Sequence, residues 1–189
     1  ALCPREPYIC KPSQNYYEFV MTSEIEVIEN FLPEREFKPL QEWFMSPLCP
    51  WFYTTDVSGR GDHPDDYLFF HMFWYPTLGV VSSHMDKISP ILDKIRPEAL
   101  IRIKANMTMK TDKVRVGTFH TDEGSYDHTT SIYYINSNDG CTAFENGEKF
   151  QSIENTFITF PSRLMHAGST PSSTKARCVL NLNYHPCKL

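Results

Sequence analysis

Alternation constrains this chain more than any other feature. From Ala99 to Met109, the residues Ile101, Ile103, Ala105, Met107 and Met109 oppose Arg102, Lys104, Asn106 and Thr108. From Ala176 to Tyr184, the residues Ala176, Cys178, Leu180, Leu182 and Tyr184 oppose Arg177, Val179, Asn181 and Asn183. Successive side chains of a strand point to opposite faces, so each run buries one face against a core. The polar second face then either meets water or lines a polar cavity. Asn155-Thr-Phe-Ile-Thr-Phe-Pro-Ser162 reads as a further strand and turn, within a block that is rich in strands from Ala99 onward.

Three His-x-Asp triplets compete for a chemical role: His63-Pro-Asp65, His84-Met-Asp86 and His120-Thr-Asp122. His63 lies in the turn-rich Gly59-Arg-Gly-Asp-His-Pro-Asp-Asp66, which reads as a surface loop. His84 precedes a helix start with Asp86 in its first turn, so a capping role is preferred there. His120 follows Arg115-Val-Gly-Thr-Phe119, a short extended segment, and residues two apart on a strand share a face. Gly117 within that segment suggests close backbone approach. His166 comes after the strand at Asn155. Two imidazoles and a carboxylate on one side of a cation leave positions open, the arrangement used by non-haem Fe(II) oxygenases. With His166 upstream, Arg177 on the neighbouring strand becomes the natural clamp for a dicarboxylate, which a guanidinium grips through two parallel hydrogen bonds.

On these residues the chain resembles the 2-oxoglutarate- and Fe(II)-dependent oxygenases over roughly residues 100 to 184. Ser131-Ile-Tyr-Tyr-Ile-Asn136 is similar to the Ile-Tyr-Tyr-Leu-Asn strand of the prolyl-hydroxylase branch. Asp139-Gly-Cys-Thr-Ala-Phe144 resembles that branch's Gly-Gly-x-Thr-x-Phe strand, with one glycine instead of two. The chain also looks like small oxygenases carried by marine phages. The resemblance implies a mainly β fold with flanking helices, the double-stranded β-helix or cupin-like jelly roll. It implies His120, Asp122 and His166 as iron ligands, and Arg177 and Tyr134 as holders of the far carboxylate of 2-oxoglutarate. Implied with them are Fe(II), 2-oxoglutarate and O2, with ascorbate as an accessory reductant, and hydroxylation of a C–H bond in a peptide, prolyl or small amino-acid-like substrate. Asn181 and Asn183 share Arg177's face, and Asn181 is expected to join the cosubstrate pocket; an outward-facing role is the equal alternative. Asp122, where a halogenase would carry Ala or Gly, argues against halogenation.

Two other readings stay open: a nucleic-acid demethylase of the same superfamily, and a non-catalytic jelly-roll binding or virion-associated module. A net charge of -5 counts against an extended basic face for nucleic acid. At 189 residues one domain accounts for the chain, expected at 21–189 with a catalytic core near 99–184. Ala1 to Val20 reads as a terminal arm, or as sequence upstream of a start at Met21. No run is long and apolar enough for a bilayer span, no secretory signal pattern is present, and nothing sets an oligomeric state. Six cysteines without a Cys-x-x-Cys pair fit a reducing cytoplasm, a host's if the chain is viral, with Cys141 and Cys178 as small buried residues.

Upstream, Ser23 to Leu32 predicts a first strand. Pro33 suits helix position N1 and Phe37, Leu40 and Phe44 share a helix face, with Pro39 predicting a kink or a short first turn. Cys49 to Tyr75 is dense in aromatics; core packing is preferred for them, and a substrate wall including His71 is the sharper alternative. Asp56 to Asp66 is a candidate mobile loop. Ser83 to Arg96 predicts a helix burying Ile88, Ile91, Leu92 and Ile95. After Asp122, the loop Glu123 to Thr130 offers Tyr126 and His128 as substrate-facing candidates, and His128 as a rival ligand that is set aside. Asn106 is expected at a solvated position in preference to one reaching the cosubstrate.

Overall fold

The computed structural model describes residues 24–55, 67–122 and 128–187. The terminal arm, His63 with its loop, and Tyr126 lie outside them. In chain order the elements are β1 (Glu26–Ile28), α1 (Glu34–Phe44), β2 (Phe52–Thr54), β3 (Leu68–Tyr75) and β4 (Gly79–Val80). A 3-10 turn (Met85–Ile88) leads into α2 (Ser89–Ile95). Then come β5 (Pro97–Met109), β6 (Thr129–Tyr134), β7 (Cys141–Phe144), β8 (Lys149–Gln151), β9 (Thr156–Pro161), β10 (His166–Gly168) and β11 (Ala176–Pro186).

The strands form two antiparallel sheets. The larger runs β1-β9-β6-β11-β5-β3-β2, with β4 on the free edge of β3, and the smaller runs β10-β7-β8. The four-strand crossover order β9-β6-β11-β5 beside β10-β7-β8 is the jelly roll expected from the sequence. The long pairing of β11 with β5 puts Arg177 opposite Thr108, Val179 opposite Asn106, Asn181 opposite Lys104 and Asn183 opposite Arg102. On its other edge β11 sets Val179 against Tyr134 and Asn183 against Thr130. Paired residues share a face, so the polar face of Arg177, Asn181 and Asn183 joins the polar face of β5, and both look into the space between the sheets.

The opposite face of the large sheet carries the main core. Ile103, Ala105, Cys178, Leu180, Leu182 and Tyr184 pack with Phe37, Leu40, Trp43 and Phe44 of α1 and with Ile88 and Ile91. Each fully buried large apolar side chain there contributes roughly 1.5–3 kcal/mol. A smaller cluster, including Ile132, Tyr134, Phe144, Ile158, Phe160 and Val179, closes the space between the sheets.

The local expectations are adjusted in four places. The first strand is only Glu26–Ile28, and Ser23 lies outside the described residues. Pro33 is the N-cap of α1 instead of its first helical residue. The helix runs on through Pro39, because Pro39 and Arg35, the residue whose carbonyl loses its partner, both face water while the aromatic face stays packed. The helix predicted over Ser83 to Arg96 is a 3-10 turn followed by α2, with Pro90 in the first turn of α2. Cys49, Cys141, Cys178 and Cys187 are free, Cys178 buried and Cys141 half-buried. No helix among the described residues is long and apolar enough to cross a membrane.

Candidate active site

His120, Asp122 and His166 converge, with one ligand atom from each lying within 4.8 Å of the others. His166 opens β10, whereas the segment Arg115 to Phe119 forms no strand of its own. It is held by single bridges, Val116 to Ser169 and His120 to His166, and by the Gly117 N–H donating to the Gly168 carbonyl at 2.9 Å. A Cβ on Gly117 would stand 3.3 Å from that same carbonyl oxygen, which is the close approach the glycine predicts. The two histidine backbones exchange both hydrogen bonds at 2.9 Å.

Each imidazole is oriented in the same way. His120 Nδ1 lies 3.1 Å from the Thr118 carbonyl and His166 Nδ1 lies 3.0 Å from the Leu164 carbonyl. A carbonyl only accepts, so each Nδ1 carries the proton and each Nε2 keeps its lone pair for the centre, the arrangement common to metal-binding histidines. The Nε2 atoms stand 3.8 Å from the Asp122 oxygens, His120 toward Oδ1 and His166 toward Oδ2. Cis ligands about 2.1 Å from one cation are about 3 Å apart, so small side-chain rotations suffice to close the set.

Asp122 is buried at 4% exposure. Burial alone would raise its carboxyl, but the Arg102 guanidinium, His166, the Asn183 amide and His120 together hold it below the ordinary carboxylate value. Burial pushes the His166 imidazole below its ordinary value, against the pull of Asp122. A carboxylate and a neutral imidazole are the forms that bind a cation. Phe160 and Phe144 pack on the His166 ring, with centroids at 4.9 and 6.1 Å, and fix its plane.

Arg177 sits farther along β11 at 3% exposure. Its Nε donates to Ser152 Oγ at 2.6 Å and its Nη2 to Thr142 Oγ1 at 3.1 Å, while Cζ stands 5.6 Å from the Tyr134 ring centroid. Tyr134 itself donates to Thr142 Oγ1 at 2.9 Å. Among the described residues no carboxylate pairs with this guanidinium, although a buried charge ordinarily requires one. Burial accordingly pulls its pKa below the usual arginine value. Between Arg177 and Asp122 the sheet presents three buried polar atoms without a hydrogen-bond partner: Asn106 Oδ1, Asn181 Oδ1 and Thr156 Oγ1. Each such atom costs about 1–3 kcal/mol. The Arg177 guanidinium and the Thr156 hydroxyl can donate to the oxygens of a carboxylate-bearing ligand, so they fit 2-oxoglutarate, whereas the two amide oxygens only accept and that ligand has no donor for them.

Other expectations resolve differently. Asn106 faces the cavity, half-buried, and not a solvated position. Asn183, wholly buried, bonds Asp122, so it does line the site. His71 does not flank the site. Its Nδ1 lies 2.7 Å from the Pro50 carbonyl and its Nε2 lies 2.8 Å from Ser82 Oγ, on the helix side of β3 beside Phe73 and Trp43. Strand parity explains this: His71 pairs with Ala105 on the core face, whereas Phe70 and Met72 pair with Asn106 and Lys104 on the cavity face. His84 stands at the N-cap position of the 3-10 turn, in the capping region expected, without a side-chain capping hydrogen bond. His128 is buried away from the trio, in a groove of about 660 Å³ with His185, Glu98 and Phe160. Sequence reasoning missed Arg102, whose Nη2 donates to Asp122 Oδ1 at 2.9 Å, and missed Thr142 and Ser152 as holders of Arg177. Arg102's position on the face later shared with Arg177 was the available signal.

Two histidines, an aspartate and a buried arginine stand between the sheets of this jelly roll, an arrangement that could hold one cation with coordination positions left open. More narrowly, the fold is that of the 2-oxoglutarate/Fe(II) oxygenases in their prolyl-hydroxylase-like form. A viral collagen prolyl hydroxylase from Paramecium bursaria Chlorella virus-1 matches 86% of this chain and 96% of its own at 15% identity, with a TM-score of 0.53. An oxidoreductase of the 2OG-Fe(II) oxygenase family from Burkholderia pseudomallei matches 86% of each chain at 15% identity and a TM-score of 0.62. A prolyl hydroxylase from Trichoplax adhaerens, solved with a hypoxia-inducible-factor peptide fragment, matches 87% of this chain and 84% of its own at 15% identity and a TM-score of 0.55. No protein-family model matches the sequence, and no curated protein does.

Proposed function

We propose that the protein is an Fe(II)- and 2-oxoglutarate-dependent dioxygenase that hydroxylates a C–H bond of a peptide, prolyl or small amino-acid-like substrate. The observation that carries this reading is Arg177, a buried guanidinium with no carboxylate partner among the described residues, on the same sheet face as Arg102 and Asn183, which hold Asp122 of the His120, Asp122 and His166 trio. His120, Asp122 and His166 would hold the iron. Arg177 would grip the far carboxylate of the keto acid with Thr142 and Tyr134 beside it, and the Thr156 hydroxyl, with the Asn106 and Asn181 amides turned to present Nδ2, would donate to its remaining oxygens. When bound, the metal would activate O2 and the keto acid would give up two electrons by oxidative decarboxylation, so that one oxygen atom enters the substrate C–H bond and the other ends in succinate, released with carbon dioxide.

The protein's own task is placement and exclusion. The Phe144, Phe150 and Phe160 rings keep water from the back of the site, and the sheet fixes the distance from the arginine to the trio. The peptide reading is supported by the likeness to prolyl hydroxylases, one of which was solved with a peptide.

The test is succinate release from 2-oxoglutarate by Fe(II)-loaded protein, with proline-containing peptides and free amino acids as the second substrate. Turnover should require both iron and O2. Arg177→Met should raise the KM for 2-oxoglutarate by about 10²-fold or more, the loss of a buried bidentate ion pair, while leaving metal binding in place. Iron-independent turnover, or equal KM values for the variant and the parent, would remove the assignment.

A further inference from the structure

The three members of the trio are not anchored alike. His120 and His166 exchange backbone hydrogen bonds, and each ring is fixed through Nδ1. Asp122 lies outside every strand, next to residues outside the described set, so its backbone gains no support from a ladder. Its carboxylate is instead held by side chains that rise from the large sheet. Arg102 Nη2 donates to Oδ1 at 2.9 Å, and Asn183 Nδ2 donates to Oδ2 at 3.0 Å. The two donors are also joined to each other, because Arg102 Nε donates to Asn183 Oδ1 at 3.2 Å. Asn183 Nδ2 further donates to Thr130 Oγ1 at 3.0 Å. Arg102, Asn183 and Thr130 are direct cross-strand partners on β5, β11 and β6, so the ring of hydrogen bonds stands on three adjacent strands.

We propose that Arg102 is a positioning residue of the metal site. With Asn183 it forms a two-donor clamp that gives a loop-borne carboxylate the placement of a strand-borne one. This rests on the metal-dependent reading above and extends it to a residue outside the ligand set. Two effects of the guanidinium oppose each other. Its positive charge repels a cation and weakens the ligand's field, whereas its hydrogen bonds fix both oxygens before the metal arrives. Groups that orient metal ligands typically contribute 10–100-fold in metal affinity. The closed ring, with Asp122 and Asn183 at 4% and 0% exposure, favours placement over repulsion.

Mn²⁺ binding, followed by the electron paramagnetic resonance signal of the free ion, tests this without turnover. Wild type, Arg102→Met, Arg102→Lys and Asn183→Ala are compared, with Asp122→Ala as the non-binding control and circular dichroism to confirm folding. Arg102→Met should bind Mn²⁺ about 10–100-fold more weakly. Arg102→Lys should recover part of that loss, since an ammonium can meet Oδ1 but lacks the planar fork that also reaches Asn183. Asn183→Ala should weaken binding in the same direction, and its effect should not add fully to that of Arg102→Met, because the two residues bond each other. If Arg102→Met fails to fold, Arg102→Lys and Asn183→Ala decide the matter on the same direction of change. Affinities within threefold of wild type, or tighter ones, overturn the clamp while leaving the oxygenase reading intact. A wild-type protein that binds no Mn²⁺ overturns both.

Discussion

Gly140 marks the tightest point in the wall around Arg177. A Cβ there would lie 2.7 Å from Arg177 Cδ, 2.8 Å from Asn138 Oδ1 and 3.2 Å from Ser169 Oγ. None of the three groups is free to retreat: Asn138 Oδ1 accepts the Gly140 N–H at 2.9 Å, Ser169 Oγ accepts the Cys141 N–H at 2.7 Å, and Arg177 is bonded to Ser152 and Thr142. Gly140→Ala should therefore push the guanidinium off its partners. The expected result is a stability loss of about 1–3 kcal/mol in urea titrations and a 2-oxoglutarate KM raised by about tenfold or more, with Mn²⁺ affinity unchanged. An unchanged KM would dissociate Arg177 from the keto acid. Arg177 was legible in the sequence because it sits on a strand with clear parity and His166 because it follows one, whereas His120 and Asp122 were legible from their spacing, the strand expected before them being only a segment held by single bridges. Thr142 and Ser152 were not, since a hydroxyl that steadies an arginine looks like any other strand or loop hydroxyl until the two sheets face each other.

At the scale of elements, the seat of α1 depends on one amide. Asn155 adopts a φ of 58°, in the left-handed region that asparagine tolerates. Its Oδ1 accepts from the Leu32 N–H at 2.9 Å and from the Tyr133 hydroxyl at 2.6 Å, and its Nδ2 donates to the Leu32 carbonyl at 2.8 Å. The chain entering α1 is thus tied to the start of β9 and to the outer face of β6. Asn155→Ala leaves the wholly buried Tyr133 hydroxyl and two backbone groups unpaired, which should cost about 3 kcal/mol. Lys38→Ala, at the half-exposed pair with Glu154, should cost far less by comparison, because solvent screens that pair. Urea midpoints check the ranking; equal losses would show that the amide is not the fastening. The strands β5 and β11 were readable from alternation alone. The parity of β3 was not, because Leu68 to Tyr75 is apolar or aromatic at nearly every position and offers no contrast between faces. That is why the sequence leaves His71 open between the core, the preferred side and the one where it lies, and a substrate wall.

Considered whole, the molecule separates stability from chemistry across one sheet. The helices and the main apolar core lie on one face, and the trio, Arg102 and Arg177 lie on the other, where buried polar atoms remain unsatisfied. A metal and a dicarboxylate should therefore act as structural ligands of that second face. A ligand present at about 100 times its Kd adds about 2.7 kcal/mol, and a chain of this length gains about 2–4 °C in Tm per kcal/mol. Mn²⁺ should accordingly raise Tm by about 5–10 °C over the chelator-treated protein at that excess. Adding 2-oxoglutarate should give a second rise that requires the metal if, as proposed, the trio and the arginine hold opposite ends of one chelate. The variants separate the two steps. Asp122→Ala and His166→Ala should lose both rises, whereas Arg177→Met should keep the first and lose the second. A 2-oxoglutarate shift of equal size without metal would mean that the arginine binds anions independently of the trio, and the two halves of the cavity would then not form one site.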